Sequence, residues 1–343
     1  KVAQGVWANL AYEKQYEHGR IKPEGTESGV RGFNVLLGVA LVLAVVPMTL
    51  VNFTLPGSYP VLEQFPADSA HYGAAANWLE VRIDAVAEAG GGLFDTIVAA
   101  VRAVLNALTI MLIGTPWPVV MIIIAVVAWR AAGPRVAIFS CASMTYLAVL
   151  GFWEVSMETV ALVGAAVFIC VLFGIPLGVW FGKSERAYRM AEPVLDLMQT
   201  LPAFVYLIPI IAFFGTGNPP GILATIIFGT PPVIRLTALG MRGVPESIKE
   251  GAAAFGATRW QLLKDVELPL ALPSIMAGVN QTILMCLSMV VIISLIGGGG
   301  LGKTILEALQ YAAKGPGLLG GFAILFCAMV IDRIVQGAFG GKS

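Results

Sequence analysis

The sequence predicts an all-α polytopic membrane protein with about eight transmembrane helices. Apolar residues make up 57% of the 343 residues, and charged residues only 12%, about half the share found in soluble domains. The apolar residues also fall into runs close to the roughly 20 residues that a membrane span needs. So few charges cannot cover a water-soluble surface, and a disordered chain would be richer in charge.

Eight apolar runs are candidate spans, each bounded by charged residues, glycine or proline. The first stands apart from the others, which all follow residue 116, and its role is not predicted. The spans are approximately Phe33–Phe53, Trp117–Ala132, Val136–Trp153, Val155–Phe181, Leu201–Gly215, Ile222–Leu239, Pro273–Ile296 and Gly317–Val335.

The distribution of Lys and Arg predicts the orientation of these spans. With the N-terminus inside, only four of the 21 basic residues fall in outside segments, namely Arg82, Arg102, Lys303 and Lys314. Basic residues favour cytoplasmic loops. Both termini are therefore predicted to be cytoplasmic.

The segment Leu93–Ile113 is apolar enough to suggest a ninth span. However, Asp95, Arg102 and Asn106 recur along it so as to give one polar stripe and one apolar face, as in an interfacial helix. A span here would also invert the charge distribution. We therefore expect an extracytoplasmic helix that lies along the membrane surface or against the bundle.

Three regions follow from these patterns. Residues 1–60 form an N-terminal cytoplasmic segment with an extra transmembrane anchor, and residues 61–116 an extracytoplasmic amphipathic segment. Residues 117–340 form the core, with its longest soluble loop at about 241–272.

Several kinds of site are not predicted. Acidic and basic residues are equal at 21 each, so no basic field indicates a nucleic-acid partner. Two His and four Cys, without metal-ligand spacing, predict neither a metal nor a cofactor. The cysteines lie far apart in apolar runs and are expected to be small buried side chains.

The segment Gly297-Gly-Gly-Gly-Leu-Gly302-Lys303-Thr304 matches the nucleotide phosphate-loop pattern letter by letter. That motif needs a strand before it and a helix after it in a soluble domain. Here it follows an apolar span and is predicted to lie outside the cell. We interpret it as a flexible turn that ends the seventh span and lets helices approach closely.

The loop at 241–272 is predicted to hold two short helices with a break between them. Pro245 suits the start of the first helix, Gly256 its end, and Thr258 with Gln261 a capping box for the second. Phe255 then lies in a small apolar turn that faces water. The residues alone leave two alternatives open, a docking site for a soluble partner and an ordinary amphipathic connector.

The spacing of this loop resembles the EAA loop of ABC importer permeases. In that pattern E-A-A, three residues and G are followed by nine residues and I-x-L-P; here Gly251 replaces the first Ala and Val266 the Ile. The resemblance implies that the short helix inserts into a cleft of a cytoplasmic ATPase subunit. The coupling residues that it implies are Glu250, Ala252, Phe255, Gly256, Leu268 and Pro269.

The similarity extends over about residues 117–332. Leu195–Pro209, Pro231–Leu236 and Met276–Thr282 resemble permeases of the glycine betaine/proline/choline type, and trimethylamine N-oxide importers share the pattern. The resemblance implies a non-enzymatic permease subunit in the bacterial inner membrane, which moves a small quaternary-amine-type osmolyte by alternating access. It does not indicate which solute is carried.

Three kinds of partner follow from the resemblance. It implies a separate cytoplasmic ABC ATPase and a separate extracytoplasmic substrate-binding protein. Because one chain supplies one docking loop and the transporter has two ATPase copies, a second copy of this chain is the simplest closed arrangement.

The candidate translocation path involves three spans. Pro231-Pro232 interrupts the sixth span, as moving hinges or as static bends. Asn280 and Gln281 in the seventh span either line a path or bond between helices, and Tyr206 in the fifth either contacts a cationic solute or packs.

Other residues and functions leave further alternatives. Glu154 and Glu158 either complement a helix dipole or attract a cationic solute. A stand-alone secondary transporter is the alternative function, but it needs ionisable residues in the spans, which contain almost none. No catalytic constellation supports an intramembrane enzyme.

Overall fold

The computed structural model describes residues 27–54 and 69–339, and the regular elements in these ranges are all helices. The fold class is therefore all-α, as predicted. The chain divides into two units, residues 1–78 and 79–343, which are described separately. The predicted cytoplasmic segment before residue 27 lies outside the described residues.

The first unit contains α1 (Glu27–Thr54) and the start of α2 (Ser69–Leu112). The predicted first span lies within α1, which continues through Pro47. Large apolar side chains such as Leu43 and Phe53 are exposed on α1. Such a surface suits lipid better than water.

The second unit contains the rest of α2 and twelve further helices. Two short helices and a π-helical turn, Leu262–Glu267, lie between two of the longer helices. The helices are α3 (Trp117–Ala132), α4 (Pro134–Val149), α5 (Trp153–Lys183), α6 (Glu185–Thr200), α7 (Ala203–Phe214), α8 (Asn218–Arg242), α9 (Glu246–Ala254), α10 (Arg259–Gln261), α11 (Leu268–Ser288), α12 (Val290–Ser294), α13 (Leu301–Gln310) and α14 (Lys314–Phe339).

The core of the second unit is built where α5 meets α8 at close range. Glycines at four-residue intervals on α5 form a stripe that lets the backbones approach, as in other membrane helix pairs. A Cβ atom on Gly178 would lie 2.5 Å from Thr237 Cβ and 2.8 Å from the carbonyl oxygen of Ile234. The stripe consists of Gly174, Gly178 and Gly182, which face Val233, Thr237 and Met241 respectively.

Helix α8 continues through Pro231 and Pro232, contrary to the prediction that they interrupt the span. Threonine hydroxyls bond two backbone carbonyl oxygens of α8 in the turn before the prolines. Thr282 on α11 donates to the carbonyl oxygen of Gly229 at 2.8 Å, and Thr230 donates to that of Ile226. Both prolines are buried.

A sharp break separates α6 from α7, whose axes differ by 103°. The break falls at Leu201 and Pro202, consistent with the restriction that proline places on the residue before it. The hydroxyl of Tyr206 donates to the carbonyl oxygens of Leu197 and Met198. Tyr206 therefore ties the start of α7 to the last turn of α6.

The structure does not confirm the number of eight spans. Five described helices are long and apolar enough to cross a membrane, or six with the bent pair α6–α7. The helices α3 and α4 have 16 residues each, about 24 Å at 1.5 Å per residue. The fifth predicted span corresponds to α7 alone, which has 12 residues and needs α6 to complete a crossing.

The segment Leu93–Ile113 lies almost wholly within α2, a continuous helix of 44 residues. Val101 and Leu105 are buried in the core of the second unit. Phe94 stacks on Phe213 at the end of α7, with ring centroids 5.2 Å apart. This part of α2 packs against the bundle, although its length and composition would also allow a span, so its membrane position stays a prediction.

Candidate functional site

The loop between α8 and α11 forms a helical knob, which we define as residues 246–261. Helix α9 ends at Ala254, and Gly256, predicted to stop it, lies two residues further on. Its φ of +85° is in the left-handed region that glycine enters without steric cost. The amide of Ala257 donates to the carbonyl oxygen of Ala252 at 3.1 Å, and that of Gly256 to Ala253 at 2.9 Å. This pair of hydrogen bonds forms a Schellman cap.

The second helix of the knob begins with the predicted capping box. The amide of Gln261 donates to Thr258 Oγ1 at 3.3 Å, and the amide of Thr258 donates to Gln261 Oε1 at 2.9 Å. Because both helix ends are capped, the turn between them has a defined conformation. The knob is therefore an ordered projection.

Two aromatic side chains at this turn face outward. Phe255 is 96% exposed and Trp260 is 67% exposed. Aromatic residues held in water on an ordered turn are typical of protein interaction sites, where they fill pockets of the partner. The geometry favours a docking role over that of a simple connector.

The base of the knob is tied to the rest of the bundle by charged groups. Lys183 Nζ at the end of α5 lies 2.9 Å from Glu267 Oε2 in the π-helical turn, and Glu267 is buried. Arg242 at the end of α8 donates to the carbonyl oxygen of Phe181 at 2.9 Å and stacks over the ring of Tyr188. The π-helical turn that follows the knob is therefore joined to α5, and the end of α8 is joined to α5 as well.

A cleft of about 590 Å³ lies between the knob and these helix ends. Its charges balance, since three basic and three acidic side chains line it. They are Lys183, Arg242, Lys249, Glu246, Glu250 and Glu267.

The implied coupling residues all lie on or directly after the knob. Glu250 is exposed and lines the cleft, and Ala252 is half-buried. Leu268 packs on a small apolar cluster at the base, and Pro269 opens α11. Phe255 and Gly256 form the tip.

The candidate path residues are distributed over three helices. Tyr206 on α7 is buried, as are Pro231 and Pro232 on α8. On α11, Asn280 is half-buried and Gln281 is exposed.

Sequence reasoning missed the ion pair that ties the segment after the knob to α5, namely Lys183 and Glu267. Glu267 stands at the variable position of the V-x-L-P segment, so the motif gave no signal for it. The one available signal was that Glu267 lies between two apolar residues, Val266 and Leu268, in a pattern typical of buried positions. A buried acid needs a basic partner.

Comparison with known proteins gives an independent view of this architecture. Residues 174–337 match the family described as binding-protein-dependent transport system inner membrane component. This region runs from the middle of α5 to α14 and includes the knob.

For two relatives, the alignment with this chain covers most of the relative's own length. The glycine betaine/proline betaine transport system permease protein ProW of Escherichia coli (strain K12) is 43% identical over 76% of this chain and 73% of its own. The glycine betaine transport system permease protein OpuAB of Bacillus subtilis (strain 168) is 41% identical over 74% of this chain and 90% of its own.

A third relative is longer than this chain. The trimethylamine N-oxide transport system permease protein TmoV of Ruegeria pomeroyi is 32% identical over 87% of this chain, but over only 46% of its own length. Among solved structures, a chain of the MetNI methionine ABC transporter in an inward-facing conformation matches 57% of this chain, with 23% identity and a TM-score of 0.47.

The helical bundle and these similarities define a membrane-spanning transport subunit. The chain belongs to the binding-protein-dependent inner membrane component family, the permease subunits of ATP-driven ABC importers.

Proposed function

We propose that this permease imports a small quaternary-amine-type osmolyte, in the class of glycine betaine, choline, proline and trimethylamine N-oxide. The names of the two well-covered relatives support glycine betaine, and that of the longer relative supports trimethylamine N-oxide. The observation that carries the mechanism is the ordered knob with Phe255 at its exposed tip.

The knob binds a separate cytoplasmic ABC ATPase in this proposal. Phe255 fills an apolar pocket of the ATPase, and Glu250 meets a basic group at the rim of the contact. Gly256 keeps the tip in its left-handed conformation, while Ala252, Leu268 and Pro269 shape the support beneath it. ATP-driven movement of the ATPase then acts on α5 through the Lys183–Glu267 ion pair, and Arg242 passes it from α5 to α8 through its hydrogen bond to Phe181.

The assembly contains two permease copies, two ATPase copies and one separate extracytoplasmic binding protein that selects the solute. It lies in the bacterial inner membrane, with both termini of the permease in the cytoplasm. The family description supports the dependence on a binding protein and the membrane. One knob per chain supports the pairing of two copies.

The translocation path runs along the exposed side of α11 in this proposal. Gln281 is exposed there, and the exposed residues Ala277, Leu284 and Ser288 share its face at helical spacing. Asn280 adds an amide oxygen that is buried without a hydrogen-bond partner among the described residues. Tyr206, Pro231 and Pro232 act by shaping α7 and α8 around this face.

Uptake into proteoliposomes tests the function. The permease is reconstituted with its ATPase and binding protein, and radiolabelled glycine betaine is supplied on the binding-protein side. We expect accumulation that requires hydrolysable ATP and is reduced by competing quaternary amines. Uptake driven by an ion gradient without the ATPase would instead establish the stand-alone secondary transporter.

The role of the knob predicts the effect of Phe255→Ala. This change removes an exposed ring, so it leaves the fold intact and reduces retention of the ATPase by about tenfold or more, the effect of losing one aromatic anchor. Co-purification of the ATPase with the permease measures it. Tyr311→Ala is the matched control, because Tyr311 is 81% exposed and lies outside the knob; equal retention in the two variants would contradict the proposal.

A further inference from the structure

The glycine-rich segment 297–302 lies at the end of the bundle opposite the knob. Helix α8 begins at Asn218, beside this segment, and ends at Arg242, beside the knob. Its 25 residues correspond to about 37 Å at 1.5 Å per residue. The two features therefore occupy opposite ends of the same helices.

Glu158 on α5 binds this segment through its carboxylate. Its Oε2 atom accepts a hydrogen bond from the amide of Gly300 at 2.9 Å, and its Oε1 atom accepts one from Asn218 Nδ2 at 3.1 Å. Asn218 in turn accepts from the amide of Gly299 at 2.7 Å through its Oδ1 atom. These three bonds join α5, α8 and the glycine-rich segment.

The neighbouring residue Thr159 extends the same contact. Its Oγ1 atom accepts from the amide of Leu301 at 2.7 Å and donates to the carbonyl oxygen of Val155 at 2.7 Å. Consecutive amides of the segment, from Gly299 to Leu301, are thus all bonded to side chains of α5 and α8. We call this set of contacts the outer latch.

Glycine is required where the segment meets these side chains. Gly300 has a φ of +77°, and a Cβ atom on it would lie 2.6 Å from Thr159 Oγ1. A Cβ atom on Gly299 would collide with the carboxylate of Glu158. Unlike a phosphate loop, the segment gives this anion one backbone amide, that of Gly300; the Glu158 carboxylate takes its second hydrogen bond from the side chain of Asn218.

The outer latch is built so that it can open. Glu158 is only half-buried, so water can replace its hydrogen-bond donors when the segment moves away. One of its two donors is the backbone amide of Gly300, in a turn that has left-handed glycines at both Gly297 and Gly300. Glycine can adopt other backbone angles with little steric cost.

We propose that Glu158 holds the outer mouth of the permease closed at rest, and that the latch opens when the binding protein delivers solute. The inference rests on the proposed import function, because it assumes that solute enters at this end. Opening separates the segment 297–302 from α5 and α8. Glu158 acts as a positioning residue, since it works through the segment rather than on the solute.

The test uses a thiol buried beneath the segment. Ser294 is 7% exposed, and a Cβ atom on Gly302 would lie 2.5 Å from its Oγ atom, so Ser294→Cys reports when the segment lifts. Labelling by a membrane-impermeant maleimide is measured in the full complex, as the increase over the same complex without the added cysteine. We expect slow labelling at rest. Labelling should be about tenfold faster during turnover with binding protein, glycine betaine and ATP. It should be faster by the same factor in the resting complex that carries Glu158→Ala, because this change removes hydrogen bonds to a charged group.

A matched control separates the latch from general damage. Glu154→Ala changes another acid on the same helix, one turn earlier and exposed, and is expected to label as slowly as the unchanged complex. Glu158→Ala is also expected to raise ATP hydrolysis in the absence of the binding protein, which a merely destabilised protein would not do.

The outcomes distinguish the two proposals. If Ser294→Cys stays protected during turnover, or stays protected in a folded Glu158→Ala complex at rest, the latch is wrong. Should Glu158→Ala fail to fold, labelling during turnover alone decides the matter. If the unchanged complex imports no quaternary amine, the proposed function fails, whereas labelling of Glu158→Ala at rest still decides the latch, because it needs neither solute nor ATP.

Discussion

Gly256 shows how a single residue controls the shape of the knob. A Cβ atom at this position would meet no other atom within 4 Å, so crowding does not require glycine here. The reason for glycine is the backbone φ of +85°. Gly251 differs in this respect, since it lies inside α9 with equally open space and no left-handed φ. The two positions therefore form a natural matched pair.

We expect Gly256→Ala to impair coupling and Gly251→Ala to leave it intact. Alanine in the left-handed region costs about 1–2 kcal/mol, so the tip of the knob changes its conformation and ATP-driven uptake falls. Alanine inside a helix is favoured over glycine by up to about 1 kcal/mol. Uptake and stimulated ATP hydrolysis in proteoliposomes measure both variants, and equal loss in the two would show that backbone conformation at Gly256 is not the cause.

Glu158 marks the limit of what sequence could predict at the residue scale. An acid near a helix N-terminus suggests that it complements the dipole of its own helix. The structure instead places its carboxylate on the amide of Gly300, 142 residues away in sequence. No local pattern contains that pairing, and the glycine-rich segment was interpreted only as a flexible turn that lets helices approach closely.

The packing of α5 on α8 gives a prediction at the scale of the helix. Gly178→Ala forces a Cβ atom to within 2.8 Å of the carbonyl oxygen of Ile234, which cannot move without shifting α8. Overpacking of this kind costs about 1–3 kcal/mol. We expect a lower midpoint of thermal unfolding for the purified protein in detergent.

The control for this prediction lies on the same helix. A Cβ atom on Gly164 would be 3.4 Å from Leu108 Cδ1, an ordinary contact with the end of a flexible side chain. Gly164→Ala should therefore keep the unfolding midpoint of the unchanged protein. A midpoint lowered equally by both changes would mean that any alanine in α5 is harmful.

Helices marked by a long apolar run or by capping residues were predicted well from the sequence. Helix boundaries that depend on contacts with other helices were not. The apolar run of α5 and the caps of the knob come from neighbouring residues, so their positions follow from sequence. The 103° break between α6 and α7 falls at a local proline signal, but the hydroxyl of Tyr206 also bonds the last turn of α6. The passage of α8 through Pro231 and Pro232 occurs where α8 is buried against other helices, with Thr282 of α11 bonded to Gly229 just before the prolines.

At the scale of the whole molecule, the distribution of basic residues predicts which end of the bundle faces the cytoplasm. We expect Ser247→Cys in the knob to react with an impermeant thiol reagent only from inside the cell. Tyr311→Cys should react from outside, since α13 lies at the opposite end of the bundle in this topology. Both side chains are exposed, so their reactivity reports membrane side rather than burial, and the reverse pattern would overturn the topology.

The copy number is a second prediction at this scale. Because each chain carries one knob, two ATPase subunits require two permease chains, and a symmetric pair is the simplest closed arrangement. Native mass spectrometry of the detergent-solubilised complex should give two copies of this chain. One copy beside a different permease chain would refute the pairing.

The exposure of Phe255 and Trp260 also has a consequence for the cell that makes this protein. A copy inserted before its ATPase is available presents two apolar rings to the cytosol, which is the kind of surface that chaperones and proteases recognise. We therefore expect surplus copies to be removed faster, because the side chains that the proposal assigns to the ATPase contact stay exposed. Synthesis of the subunits in matched amounts would avoid such surplus copies. The lifetime of the permease in the cell should shorten when the ATPase is depleted.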